Sequence, residues 1–387
     1  MHSTKSPGLD GMSAVFYQKF WDIVSNDVVN MVLNVLNYDM SMADINKTYI
    51  TLVLTNNNPS RIMEFRPISL SNVIYKLIAK VLANQLKLIL PHIISENQSA
   101  FTTGRLIIDN VLIAFEMMHY LEHKKEDKDC YMAIKLDMSK AYNRVEWGFI
   151  EQVMRKLGFH ERWIGLIMRC ITTISYSVLI NGVAHGNIVP SRGLHQGDPL
   201  SSYLFLLGTD GFSSLINKAV RSHILSGLSI CRGYPMISHL FFMDDSLLFC
   251  KVSSQECQHL IDILRLYEAA LGQKINTDKS SVFFSANTPE EKKIDTLDIL
   301  GPMQDSRHSK YLGLPSIIGK SKIEGFVKVK ERLGRKLFGW KEKILSIGGR
   351  KVLIKVVAQA IPTYIMSCFQ LPKGLCDEIE SMMKRFL

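Results

Sequence analysis

The chain has 387 residues, 47% of them hydrophobic, with 46 Lys and Arg against 36 Asp and Glu and a net charge of +10. That length supports two or three subdomains with a sizeable core. Every long apolar stretch is broken by charge, glycine or proline before bilayer length, and the N-terminus carries neither a signal-type apolar core nor a basic amphipathic leader, so a soluble intracellular protein without membrane contact is expected, nuclear or cytoplasmic.

Seven cysteines at scattered positions form no CxxC pair and read as reduced thiols. Cys250, Cys257 and His259 lack a fourth partner at a sensible spacing, so no zinc site is expected.

In chain order, helical periodicity predicts helices over 13–37, 72–90 and 106–122, with a strand over 50–54 between the first two. The polar stretch 123–129 reads as a boundary. After it, the alternation of Tyr131-Met-Ala-Ile-Lys-Leu predicts a strand closed by Asp137. Helices follow over 146–157 and 161–173, then strands over 176–181 and 185–189 around Asn181-Gly182, a hairpin turn pair. The segment Ser191-Arg-Gly-Leu-His-Gln-Gly-Asp-Pro-Leu-Ser-Ser202 reads as a glycine-containing loop entering a helix over 199–222, with Asp198 as N-cap and Pro199 in the first turn. Strands over 237–243 and 246–251 flank Asp244 and Asp245. A helix over 255–271, a strand over 278–285, a polar boundary at 304–310 and helices over 323–345 and 348–360 complete the reading. Strands and helices interleave without strict alternation, which predicts an α+β fold with an antiparallel sheet.

Three places carry chemistry. Asp244 and Asp245 stand side by side at a hairpin tip; paired carboxylates repel unless divalent cations neutralise them, and hard oxygen ligands suit Mg or Mn. A solvated Asp-Asp turn is the plain alternative. Asp137 closes a separate strand, and the three acids together would meet the requirement of phosphoryl chemistry for two ions roughly 3.5–4 Å apart. In the third place, Gly193 and Gly197 permit close backbone approach and Gln196 offers hydrogen bonds to a base or sugar; a capped loop is the plain alternative there.

The charge is also concentrated. Residues 320–355 hold twelve Lys and Arg against Glu324, Glu331 and Glu342, nearly the whole excess. Phe326, Val329, Leu333, Leu337, Trp340 and Ile344 follow helical spacing, while Lys328, Arg332, Arg335, Lys336 and Lys343 fall on other faces. Such a basic face suits sequence-independent, salt-sensitive contact with a nucleic-acid duplex. A solvated charged helix is the alternative.

The ordered motifs KLDMSKAYNRVEW, RGLHQGDPLSSYLF and HLFFMDDSLLF resemble the palm of reverse transcriptases from non-LTR (long interspersed element) retrotransposons, particularly those of plants. KSPGLDG at 5–11 and FRPISLSNVIYKLIAKVLANQLK at 65–87 are similar to that family's fingers. LGQKINTDKSSVFFS at 271–285 and YLGLP at 311–315 are similar to its palm end, and 339–376 to its thumb and connection. The resemblance implies a right-hand polymerase: a fingers-like region at 1–126 with an N-terminal helical extension, a palm at 127–318 with a finger-derived insert near 146–190, and a basic helical thumb at 319–387, truncated C-terminally. It implies RNA-directed DNA polymerase activity with two Mg or Mn ions on Asp137, Asp244 and Asp245, an RNA template with a DNA primer, and deoxynucleoside triphosphates. By the same resemblance Arg66 contacts the triphosphate and Tyr142 lies under the sugar, excluding a 2′-hydroxyl. Gln196 with Gly197 positions the nucleotide or template, and Lys279 protonates or neutralises the leaving pyrophosphate.

The chain departs from the family pattern at Leu54-Thr55, where Pro-Lys is usual, at Asn143 for an acid, at Ser202 for proline and at Met243 for alanine. The element's endonuclease and Cys/His-rich module have no counterpart in these residues, so an excised core is expected. A catalytically inactive relic or adopted nucleic-acid-binding protein is the alternative. An RNA-templated RNA polymerase is a further rival, opposed by Tyr142.

Overall fold

The computed structural model describes residues 2–54, 58–126, 128–231, 233–306, 310–315, 322–341 and 345–387. In chain order, α1 (Ala14–Lys19) and α2 (Trp21–Tyr38) lead into β1 (Lys47–Leu54), β2 (Phe65–Leu70), α3 (Val73–Ile93), α4 (Ile107–His123) and β3 (Tyr131–Leu136). Next come α5 (Trp147–Lys156), α6 (Glu161–Thr172), β4 (Ser175–Ile180), β5 (Val183–Ile188), α7 (Ser201–Arg221), β6 (His239–Phe242) and β7 (Asp245–Lys251). Then follow α8 (Ser254–Leu271), β8 (Ser281–Phe284), α9 (Glu290–Leu300) and the short strands β9 (Gln304–Asp305), β10 (Lys310–Tyr311) and β11 (Leu314–Pro315). The last helices are α10 (Lys322–Lys341), α11 (Ile347–Leu353), α12 (Ala360–Met366) and α13 (Lys373–Phe386).

The chain forms two compact units. One comprises residues up to Arg105 with Leu136–Leu225 and Gln255–Asn276; the other comprises Leu106–Lys135, Ser226–Ser254 and the residues from Thr277 onward.

In the first unit a four-stranded sheet runs β2-β1-β4-β5. β1 pairs antiparallel with β2, from Tyr49↔Leu70 to Leu54↔Phe65, and parallel with β4. β2 holds Pro67, which has no N–H for a ladder, and it lies at the edge of the sheet, where that loss is tolerated. The β4–β5 hairpin turns on Asn181 (φ 51°) and Gly182 (φ 82°), both left-handed as a tight primed turn requires. Tyr17, Val28 and Val73 seat the N-terminal helices on α3, and Phe212 of α7 stacks on Tyr267 of α8 at 4.5 Å.

In the second unit a five-stranded sheet runs β6-β7-β3-β8-β9. β6 with β7 and β3 with β8 are antiparallel, and the short edge strand β9 is parallel to β8. Met117, Met118 and Leu121 of α4 pack with Leu240, Phe249, Phe283 and Tyr311. A second core gathers Phe326, Leu333 and Leu337 of α10 with Ile365, Leu375, Ile379 and Phe386. Between α11 and α12 the helix passes through a π turn at Ile354–Ala358, where the Gln359 N–H reaches the Ile354 carbonyl at 3.0 Å. Pro362 stands four residues after Ala358 and donates nothing to its carbonyl, so the helix is weakened next to the wide turn.

Several predicted boundaries move. The helix expected over 13–37 is interrupted at Phe20, which separates α1 from α2. Strand β2 and helices α9 and α13 are absent from the expected elements, and the helix expected to stop at 360 continues through α12 to Met366. Part of the helix expected over 323–345, including Lys343 and Ile344, and Thr55 of the Leu54-Thr55 departure lie outside the described residues. No helix among the described residues is long and apolar enough to cross a membrane, and the seven cysteines are free.

Candidate active site

The acid pair lies where the sequence places it. Phe242 pairs with Asp245 across β6 and β7, leaving Met243 and Asp244 as a two-residue turn. Met243 adopts φ 58°, a left-handed conformation that strains a bulky residue and marks the turn as held by its surroundings. Asp244 is exposed and Asp245 half-buried. The strand beneath is pinned from two sides: Asn110 Nδ2 donates to the Phe241 carbonyl at 2.9 Å, and Tyr311 Oη to the Leu240 carbonyl at 3.4 Å. Burial first, and the nearby Asp245 charge after it, push the Tyr311 phenol upward; Tyr364 is raised to about 12 by burial, then by the charges of Cys368 and Asp245.

Asp137 follows the last residue of β3, a strand that lies beside β7 in the sheet. Asp137 is half-buried, and its carbonyl accepts the Asn276 N–H at 2.8 Å, while Ser139 N–H donates to the Lys274 carbonyl at 2.8 Å. The strand thus leaves the sheet directly into an anchored loop. Among the described residues, no group of three or more His, Cys, Asp or Glu forms a ready-made metal cage. Their chemistry still fits Mg or Mn, because such ions are held by one or two carboxylates and completed by water and substrate phosphates. Lys279 is exposed on the turn before β8.

The Gly193–Asp198 loop is tied down at several points within the first unit. Gly193 N–H donates to the Val145 carbonyl and Leu194 N–H to the Tyr142 carbonyl, both at 2.8 Å, and the Gln196 carbonyl accepts Ser69 N–H of β2 at 3.2 Å. Gly193 has φ 94°, and a Cβ there would sit 2.8 Å from the Asn143 carbonyl oxygen. The close approach expected of this glycine is therefore to the protein's own backbone. Gly197, at φ 106°, is required by its conformation rather than by crowding from the protein, since a Cβ would meet nothing nearer than the Ser69 carbonyl at 3.5 Å. Tyr142 stacks on Phe205 of α7, with centroids 4.7 Å apart and planes 9° from parallel. Gln196 is half-buried, and Arg66 is exposed on β2.

Asp198 departs from expectation. Helix α7 begins at Ser201 with Leu200 as its N-cap, so Asp198 is not the cap residue. Its fully buried carboxylate accepts Leu200 N–H at 3.3 Å, Ser201 Oγ–H at 3.2 Å and Tyr75 Oη–H at 3.3 Å. Burial raises its pKa to about 6 against those hydrogen bonds and the Lys76 charge. Lys76 is itself lowered by burial. His195 is buried with neither ring nitrogen hydrogen-bonded, its ring edge-on to Tyr176 at 5.3 Å, and burial lowers its pKa to about 4. Sequence reasoning missed Tyr75, Lys76 and His195. One signal was present: Lys76 shares helical spacing with the buried Ala79, Ala83 and Leu86, the wrong face for a solvated lysine.

On α10, Lys328, Arg332, Arg335 and Lys336 are exposed, while Phe326, Leu333 and Leu337 are buried. Arg332, Arg335, Lys336, Gly339 and Trp340 line an open groove.

The profile of the reverse transcriptase (RNA-dependent DNA polymerase) family matches residues 56–316. Across its full length the chain is 26% identical to the transposon TX1 uncharacterized 149 kDa protein of Xenopus laevis, covering 29% of that protein. Over 75% of the chain it is 24% identical to the retrovirus-related Pol polyprotein from type-2 retrotransposable element R2DM of Drosophila melanogaster, covering 26% of that protein. A stretch of 32 residues, 8% of the chain, is 62% identical to an uncharacterized mitochondrial protein, AtMg01250, of Arabidopsis thaliana, covering 26% of it. The chain thus spans less than a third of the length of the TX1 and R2DM relatives. With the match running from β2 through the acid hairpin, and with a transposon protein and a retrotransposable-element polyprotein as relatives, the chain belongs to the reverse transcriptase (RNA-dependent DNA polymerase) family, whose fold is the right-hand polymerase.

Proposed function

We propose that this chain is the RNA-directed DNA polymerase core of a non-LTR retrotransposon, adding deoxynucleotides to a DNA primer on an RNA template. The observation that carries the reading is the acid hairpin: Asp244 and Asp245 sit at the β6–β7 turn, and β7 is the sheet neighbour of β3, which runs straight into Asp137. Asp137, Asp244 and Asp245 are assigned as ligands of two Mg or Mn ions, which when bound stabilise both the attacking and the leaving oxygen. In the reaction the primer 3′-hydroxyl attacks the α-phosphate, and the bond to pyrophosphate breaks.

The chain's residues take the following parts. Arg66 meets the triphosphate, as the exposed cation of β2. Tyr142, held flat against Phe205, lies under the sugar and leaves no room for a 2′-hydroxyl. Gln196 and Gly197 position nucleotide or template, and Lys279 offsets or protonates the departing pyrophosphate. Lys328, Arg332, Arg335, Lys336 and Lys343 are assigned as contacts to the duplex. Residues 1–126, 127–318 and 319–387 are assigned as fingers, palm and thumb. A plant element is supported by the short stretch 62% identical to the Arabidopsis mitochondrial protein.

Primer extension on an RNA template with Mg or Mn, beside an Asp244→Asn/Asp245→Asn protein, tests the assignment. Extension by the native chain and a loss of at least about 1000-fold in the variant are expected, as for removal of metal-bound charge from a phosphoryl-transfer site. Folded native protein that binds duplex but adds no nucleotide would leave the adopted binding protein as the reading.

A further inference from the structure

We propose that Asp198 is a positioning residue for the nucleotide-contacting loop, its buried carboxylate fixing residues 193–197 through Ser201. The proposal rests on the reading of Gln196 and Tyr142 as nucleotide contacts. Asp198 Oδ2 accepts the hydroxyl protons of both Tyr75, from α3, and Ser201, from the start of α7, while Oδ1 accepts the Leu200 N–H. Ser201 Oγ, having given its proton to Asp198, keeps a lone pair for the His195 N–H, which it accepts at 3.1 Å. His195 and Gln196 are adjacent, and the Gln196 carbonyl is the one that holds Ser69 of β2. One carboxylate therefore orients a hydroxyl, the hydroxyl fixes an amide, and the next residue links the loop to the strand that bears Arg66.

Only a group that accepts at both oxygens suits this place. An amide would put an NH2 toward the two hydroxyls and force both to turn; the Tyr75 hydroxyl would then rely on the Cys170 carbonyl, which lies 3.3 Å away. The groups facing the carboxylate are Tyr75 and Lys76 from α3, Cys170 from α6, Tyr176 from β4 and Ser201 beside it. Of these Lys76 alone supplies positive charge, and it too is disfavoured by burial. Keeping Asp198 charged therefore opposes stability above pH 6. A group of purely structural value would be better neutral.

The test uses the full chain with Asp198→Asn and, as a second variant that keeps the carboxylate, Ser201→Ala. Amide hydrogen exchange across 193–197 and at Ser69 should quicken by about tenfold in both variants, the loss of one hydrogen bond's worth of local protection. The Asp198→Asn protein should melt at or above the native temperature. In single-nucleotide incorporation, the native KM for deoxynucleotide should rise as pH falls through about 6, and Asp198→Asn should show a raised, pH-independent KM with kcat little changed. Unchanged exchange at 193–197 in both variants overturns the proposal, whatever the activity. So does a loss of protection spread evenly over the chain with a lowered melting temperature, which marks a structural role. If the native protein incorporates nothing, the polymerase reading fails separately, and exchange still decides the positioning of the loop.

Discussion

Gly193 and Gly197 share a left-handed backbone, at φ 94° and φ 106°, yet differ in what a side chain would meet. Alanine at 197 adds only the conformational penalty, about 1–2 kcal/mol. Alanine at 193 adds an approach of 2.8 Å to the Asn143 carbonyl, so a cost of about 3 kcal/mol or more is expected, with weaker nucleotide binding. Urea midpoints of the two variants check the difference, and equal midpoints would remove the steric argument. The buried histidines make a second prediction. Burial lowers His195 to about 4 and His239 to about 3, while Asp198 is raised to about 6. Below pH 6.5 the unfolded chain protonates these two histidines and the folded chain does not, so each subtracts stability as pH falls from 6.5 towards 4. Asp198 acts oppositely: the folded state takes up its proton near 6, the unfolded state only near 3.8. At pH 5 the two histidines outweigh the one acid, and these groups together lower stability by about 2–3 kcal/mol relative to pH 7.5. Urea unfolding at both pH values reads this directly, and a flat profile would contradict the assigned burial.

At the scale of elements, what the sequence displayed plainly was whatever had a long period or a sharp turn. Helix α10 carries Phe326, Leu333 and Leu337 at helical spacing for several turns, and the acid hairpin sets a two-residue turn between apolar runs; both are present in the structure. Strand β2 was hidden by Pro67, because a proline argues against a strand until its edge position is known. The start of α7 was misplaced because Asp-Pro-Leu-Ser is a good capping sequence, whereas the Tyr75 hydroxyl, from another element, claims the Asp198 carboxylate. Such a bond joins residues 123 positions apart and leaves no local pattern. The roles proposed for Asp137, Asp244 and Asp245 rest on residue type and motif order, which spacing alone does not express. The basic face of α10 yields its own expectation. Replacing Lys328, Arg332, Arg335 and Lys336 by glutamine should weaken duplex binding evenly across sequences and flatten the salt dependence by about 0.7–0.9 in logarithmic slope for each phosphate no longer neutralised. Fluorescence anisotropy across a salt series measures it; an unchanged slope would assign the face to solvent.

Across the whole molecule, each unit is assembled from separate stretches of chain, which passes between them at 105/106, 135/136, 225/226, 254/255 and 276/277. The first unit is incomplete without α8, because Tyr267 supplies the stacking partner of Phe212 and the Leu271 side chain lies where a Cβ on Gly208 would be 3.1 Å from it. A fragment ending at 225 should therefore fail to give a cooperative melt, while one ending at 276 retains every stretch of that unit; circular dichroism melts of the two fragments distinguish them. The same threading bears on how such sequences exchange material. A single recombination breakpoint between relatives anywhere from 106 to 276 joins unmatched halves of both units at once, whereas a breakpoint after 276 leaves the first unit wholly from one parent. Descent traced through the first 276 residues and descent traced through the remainder can thus diverge, and mosaic relatives should show their seams beyond α8 rather than within the interleaved region.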